Sequence, residues 1–207
     1  PSIPPATRKV SDSVVYSRLR ANPNIVTRSD AYNGTAEIMI MEANMRRWPF
    51  TDRRARAAFL HAVDREFLVK AINFGEGKVA HGPIPSTVPY YDEKALVKYP
   101  YDPARARALL DEMGCKPGPG GVRHRFGLML VPDGGGAWTG HYIKQCLAEV
   151  GLDANLEAVD WPTQSRRSGN WEFDVDSNSY GEYGDPAIGT SRFYLSSNIR
   201  KGVPLTN

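Results

Sequence analysis

The sequence predicts an α/β domain, a mixed sheet flanked by helices, and three observations carry that expectation. Residues 126–179 repeat a strand, helix, strand, helix, strand rhythm, which implies parallel pairing with helices packed against the sheet. The stretch Asn44–Arg65 compresses a strand end, a Pro turn, a capped amphipathic helix and a second helix start into a short space. The composition of the 207 residues, 41% hydrophobic and 24% charged, is that of a globular chain able to bury a core. No run approaches the roughly 18–20 apolar residues of a membrane span.

Residues 1–23 are rich in Pro, Ser and charge, with one helical stretch at 13–21, and read as the tail of something that began earlier. Asn24–Arg28 resembles a short strand. Glu37–Ala43 reads as a strand covered on both faces, because Ile38, Met39, Ile40 and Met41 are continuously apolar. A helix then starts at Thr51 or Asp52, either able to cap it, with Ala55, Ala58, Phe59, Ala62 and Val63 as its apolar stripe. Asp64 caps the next helix, which is expected to turn Phe67, Leu68, Ala71 and Ile72 inward and to stop at Gly75.

Gly and Pro dominate 75–101, an extended connection. Asp102-Pro103 announces a helix bearing Ala106, Leu109, Leu110 and Met113 and ending at Gly114. A strand at 126–131 leads through Gly134-Gly135-Gly136 into a helix over 137–150. The glycines fit neither phosphate-binding frame and read as a strand-to-helix turn. A strand at 153–159, a short helix at 162–168 and a half-buried strand at 173–179 complete the pattern.

The net charge of +3 is spread among 26 basic and 23 acidic residues, so no nucleic-acid footprint emerges; Arg53, Arg54 and Arg56 read as a solvated helix face. Cys146 falls in register with Ile143, Leu147 and Val150, as a buried thiol would, and no disulfide with Cys115 follows from the spacing. His61, His81, His124 and His141 are scattered outside any metal-binding spacing. There is no Gly-x-Ser-x-Gly elbow, so no catalytic residue, metal site or cofactor is expected.

Asn44, Arg46, Pro49, Phe50, Asp52, Arg54, Arg56, Ala58, Ala62, Asp64 and Arg65 stand in the order N-x-R-x-x-P-F-x-D-x-R-x-R-x-A-x-x-x-A-x-D-R. That pattern resembles the segment carried by extracellular solute-binding proteins of family 5, the oligopeptide/dipeptide-type capture subunits of ABC importers. Further landmarks follow in the same order: Gly82-Pro83 with Pro85, Tyr101–Ala106, Leu109–Gly114, Cys146–Leu152, and Tyr180-Gly181-Glu182-Tyr183-Gly184-Asp185-Pro186. The resemblance implies one lobe, the C-terminal one, of a periplasmic-binding-protein-like (type II) fold. Residues 1–23 would lead in from a preceding lobe, and 24–207 would form the ligand-binding lobe, incomplete at its C-terminal end.

It also implies capture of peptides and their delivery to membrane permease subunits, by an exported, periplasmic, monomeric protein without a cofactor or catalytic activity. Residues 1–23 contain none of the n-region and h-region pattern of a secretory signal. In peptide-binding members the first acid of the late loop accepts the ligand's α-ammonium group; Glu182 occupies that position here, with Asp185 as the alternative. Trp161, Tyr180 and Tyr183 are candidate pocket-wall aromatics or, equally, packing residues. Dipeptide binders place an arginine before the helix at 137–150, where this chain has Pro132–Gly136, which favours longer peptides or non-peptide solutes such as a sugar, nickel or an opine. An interaction module without a ligand is the remaining alternative.

Overall fold

A computed structural model describes residues 13–28, 35–132, 136–181 and 183–204. Four strands form one mixed sheet in the order β1 (Glu37–Ala43), β4 (Val175–Gly181), β2 (His124–Leu130), β3 (Leu152–Ala158). β1 runs antiparallel to β4, while β2 lies parallel to both β4 and β3. The rhythm read over 126–179 therefore corresponds to the parallel part of the sheet.

One face is covered by α2 (Arg53–Ala62), α4 (Pro103–Glu112) and α5 (Gly136–Ala148). There Phe50, Ala58, Leu110, Phe126, Leu128, Leu147 and Val175 join a continuous buried cluster. Phe50 meets Phe126 edge to face with ring centroids 5.2 Å apart, a geometry that adds to the gain from burying both rings. Cys115 and Cys146 are buried free thiols in this cluster. The opposite face carries α6 (Trp161–Gly169), whose Gln164 donates from Nε2 to Asp176 Oδ1 and to the Ser177 carbonyl oxygen.

Nearly every polar residue of the Asn44–Arg65 pattern has a structural task. Asn44, fully buried, donates from Nδ2 to the carbonyl oxygens of Trp171 and Phe173 at 3.0 and 2.8 Å and accepts from the Arg46 N–H. Asp52 caps α2 through the Arg54 N–H, and Asp64 caps α3 (Arg65–Phe67) through the Phe67 N–H. Arg54 pairs with Asp52 and donates to the Glu112 carbonyl oxygen at the end of α4, while Arg56 donates to the Phe50 carbonyl oxygen. Arg65 holds the 75–101 connection by bonds to the carbonyl oxygens of Ala80 and Tyr99. Arg54 and Arg56 are thus tied into the fold rather than left as a solvated row.

Three expectations need correction. Asn24–Arg28 forms no strand: Asn22 turns the chain back on itself, Val26 is 89% exposed, and no strand among the described residues pairs with the segment. β1 is an edge strand among the described residues, with Met39 exposed, because it lies at the end of the sheet and pairs with β4. The segment after Asp64 turns inward only in part: Leu68 packs, half-buried, against the core, while the chain widens from α3 into a π-helical turn, Leu68–Ile72, and Phe67 lies on the surface stacked against Tyr142. α4 and its Asp102 cap, Pro103 start and left-handed Gly114 end match the sequence reading. Ser13–Arg20 forms α1, whose Arg20 pairs with Glu76. Residues 1–12 and the glycines Gly134-Gly135 lie outside the described residues.

Candidate functional site

Parallel strands deliver the loops that follow them to one edge of a sheet, and in open α/β folds that carboxyl edge is where ligands bind. Here the ends of β2, β3 and β4 feed the segments 131–138, 159–163 and 181–190, and the start of β1 joins them because Glu37 is paired with Gly181. β2 stops one residue beyond the Met129–Asp176 pair, whereas β4 continues to Gly181. The β1–β4 ribbon thus stands above the ends of β2 and β3 as a wall, with α5 and α6 beginning at its foot.

Three large aromatics occupy this edge in exposed positions: Trp138 in the first turn of α5, 69% exposed; Trp161 at the start of α6, 52%; and Tyr183 beyond β4, 62%. Each is held by local structure. Gly140 lets α5 sit directly on β2, since a Cβ there would stand 2.5 Å from Leu130 Cδ2. Asp160 caps α6 by accepting from the Thr163 N–H, and the Thr163 hydroxyl, followed by that N–H, holds its carboxyl below the usual carboxylate range. Tyr183 adopts a left-handed backbone, φ 53°, donates its N–H to the Thr35 carbonyl oxygen, and lays its ring over Gly181, whose missing side chain makes the room.

The other residues singled out from sequence stand differently. Tyr180 is buried: its hydroxyl donates to the Pro83 carbonyl oxygen at 2.7 Å and its ring packs on Phe193 at 4.5 Å, so it fastens the Gly82-Pro83 segment to the end of β4. Asp185 accepts from the Ala187 N–H at 2.8 Å, and its carbonyl oxygen accepts from Ile188 and Gly189, which makes it the organiser of the loop 185–189. Glu182 lies outside the described residues. Trp138 is the residue that sequence reading passed over. Its signal was available, for it lies nine positions from Leu147, on the opposite side of the helix from the buried stripe.

The charge of the edge is one-sided. The described residues of segments 35–37, 131–138, 159–163 and 180–190 include the acids Glu37, Asp160 and Asp185 and no Lys, Arg or His. Such a surface, acidic and aromatic, favours a cationic group with an apolar body. Among the described residues no group of three or more His, Cys, Asp or Glu is placed to hold a metal ion. A hollow of about 610 Å³ over Tyr91–Lys94 and Lys98 lies on the 75–101 connection, where Lys98 and Glu93 neutralise each other.

The sequence profile of "Bacterial extracellular solute-binding proteins, family 5 Middle" matches residues 12–201. Di/tripeptide-binding protein 2 of Pseudomonas aeruginosa (strain UCBPP-PA14) is 31% identical over 169 residues, 81% of this chain and 31% of that protein. Among solved structures, the PBP AgaA in complex with agropinic acid from A. tumefacien R10 superposes with a TM-score of 0.77 at 21% identity, over 95% of this chain and 38% of that one. The periplasmic binding protein DppA from Helicobacter pylori, in complex with the peptide STSA, gives 0.71 at 22% identity, over 82% of this chain and 31% of its own. The chain spans about three tenths of the length of the curated relatives it matches.

Proposed function

Because the chain belongs to the bacterial extracellular solute-binding proteins of family 5, we propose that it is one lobe of a receptor that captures amine-bearing peptides and hands them to ABC permease subunits. Residues 24–207 form that lobe and 1–23 lead into it. The observation that carries the reading is the carboxyl edge, where Trp138, Trp161 and Tyr183 are exposed among acids and the contributing segments hold no basic residue.

A peptide's terminal ammonium is the cation such a surface suits, and its apolar side chains lie against the rings. Glu182 accepts the ammonium, while Asp185 is committed to its own turn through the Ala187 N–H. With no arginine to clamp a carboxylate at a fixed distance, the edge suits peptides longer than two residues. The solute undergoes no chemistry, and the receptor works as a monomer in the periplasm. The second lobe closes over the peptide, excludes water and supplies the remaining contacts.

The experiment is a titration of the chain with free and N-acetylated tetrapeptides, followed by tryptophan fluorescence. Free peptides are expected to bind at least about tenfold more tightly than their acetylated partners. Equal affinities would remove the ammonium from the site, and Glu182→Gln leaving affinity for the free peptide unchanged would remove Glu182.

A further inference from the structure

Behind the edge, on the sheet face covered by α6, four polar side chains close on one another. Glu42 of β1 and Asp176 of β4 are directly opposed across the antiparallel pair. Gln164 binds Asp176 Oδ1 at 2.7 Å, and Ser168, one helical turn further along α6, has its hydroxyl beside the Glu42 carboxyl. Asp176 has no exposed surface, and Gln164 and Ser168 retain only 1% each.

The hydrogen bonds of this cluster do not balance. Asp176 is supplied by Gln164 and by Asn178 Nδ2 at 3.3 Å, but Glu42 Oε2, Gln164 Oε1 and Ser168 Oγ are buried without a geometrically sound partner. Glu42 Oε2, when ionised, and Gln164 Oε1 can only accept, and the Ser168 hydroxyl has one proton to give, so the cluster is one donor short. Two ionised carboxylates facing each other here would also be desolvated like charges.

The charged neighbours relieve this only in part: the Arg167 charge favours an ionised Asp176 but does not outweigh its burial. Arg167 of α6 is paired with Glu157 of β3 at 2.7 Å, and Asp174, just before β4, is paired with Arg47 at 2.7 Å. Burial first, then the Asp176 charge, pushes the Glu42 carboxyl up to about 7, and burial pushes Asp176 up to about 6 against its bonds from Gln164 and Asn178.

We propose that Glu42 and Asp176 hold one proton between them in the folded chain, and that this proton is the missing donor that seats α6 on the sheet. The pair titrates as a unit. Its folded-state affinity for the proton exceeds that of the unfolded chain, so its stabilisation is complete below the ordinary carboxyl range and is lost as pH rises through about 6–7.

The test is thermal unfolding of the chain and of Glu42→Gln from about pH 5 to about pH 8. The readout is the difference between the two midpoints, because the His124 ring, held below its ordinary value by burial, contributes the opposite slope to both proteins. The wild-type midpoint is expected to fall by roughly 5 °C relative to Glu42→Gln across that range. A constant difference would overturn the proposal. Should the variant fail to fold, the infrared spectrum of the wild type decides: the C=O band of a protonated carboxyl, present near pH 5.5, is expected to vanish by about pH 8. A spectrum without that band near pH 5.5, or one in which it persists unchanged, would overturn it equally.

Discussion

Replacing Asn44 by Ala removes three hydrogen bonds at once and leaves their partners inside the protein. The amide donates to the Trp171 and Phe173 carbonyl oxygens at 3.0 and 2.8 Å, and its oxygen accepts from the Arg46 N–H at 3.1 Å. At about 1 kcal/mol net for each bond, the substitution costs about 3 kcal/mol. That is a large share of the roughly 5–15 kcal/mol by which domains are stable, and it lowers the melting midpoint by roughly 6–12 °C.

Urea unfolding followed by tryptophan fluorescence measures the loss, with an unchanged slope showing that the same surface is exposed. Asn44→Asp sharpens the test, because it keeps an acceptor for Arg46 but sets a carboxylate against two carbonyl oxygens. It is expected to be at least as unstable at neutral pH and to recover in part as the acid protonates. A loss below about 1 kcal/mol for Asn44→Ala would refute the reasoning that Asn44 pins the 171–173 segment to the end of β1.

Phe50→Ala empties a fully buried site against Phe126 and is expected to cost about 3–5 kcal/mol in the same unfolding assay. Gly151→Ala and Gly114→Ala both force a side chain into a left-handed backbone, φ 85° and 84°, but only the first meets atoms, with Gly121 O at 2.7 Å and Arg123 Cγ at 2.9 Å. Gly114→Ala should cost about 1–2 kcal/mol and Gly151→Ala clearly more, read as the gap between their unfolding midpoints. Trp138→Ala and Trp161→Ala remove exposed rings, so each is expected to weaken peptide binding several-fold while changing stability by less than about 0.5 kcal/mol.

The caps at Asp52, Asp64 and Asp102 were legible because each acts within three residues of itself, and the strand-helix alternation was legible because it is periodic. Sheet order was not, and it misled the reading of β1: the run Ile38–Met41 looks buried, yet its place at the edge leaves Met39 exposed. Asn24–Arg28 has strand-like residues without a strand among the described residues to pair with, a fact no local pattern contains. At the candidate site, Trp161 and Tyr183 could be named from their neighbours in sequence, whereas the burial of Tyr180 depends on Pro83 and Phe193, brought to it from elsewhere in the fold. The Glu42–Asp176 pair was invisible for the same reason, since only the β1–β4 register brings the two carboxyls together.

The most direct measurement is a residue-by-residue map of amide and side-chain chemical shifts while a tetrapeptide with a free amino terminus is added. The account expects weak binding, with a dissociation constant on the order of a millimolar for a single lobe. The perturbations should be confined to segments 35–37, 131–138, 159–163 and 180–190, with the Trp138 and Trp161 indole signals among the largest. Shifts centred on the hollow at Tyr91–Lys98 or on the exposed faces of α2 and α4, or none at all at millimolar peptide, would contradict the assignment of the carboxyl edge as the site of capture.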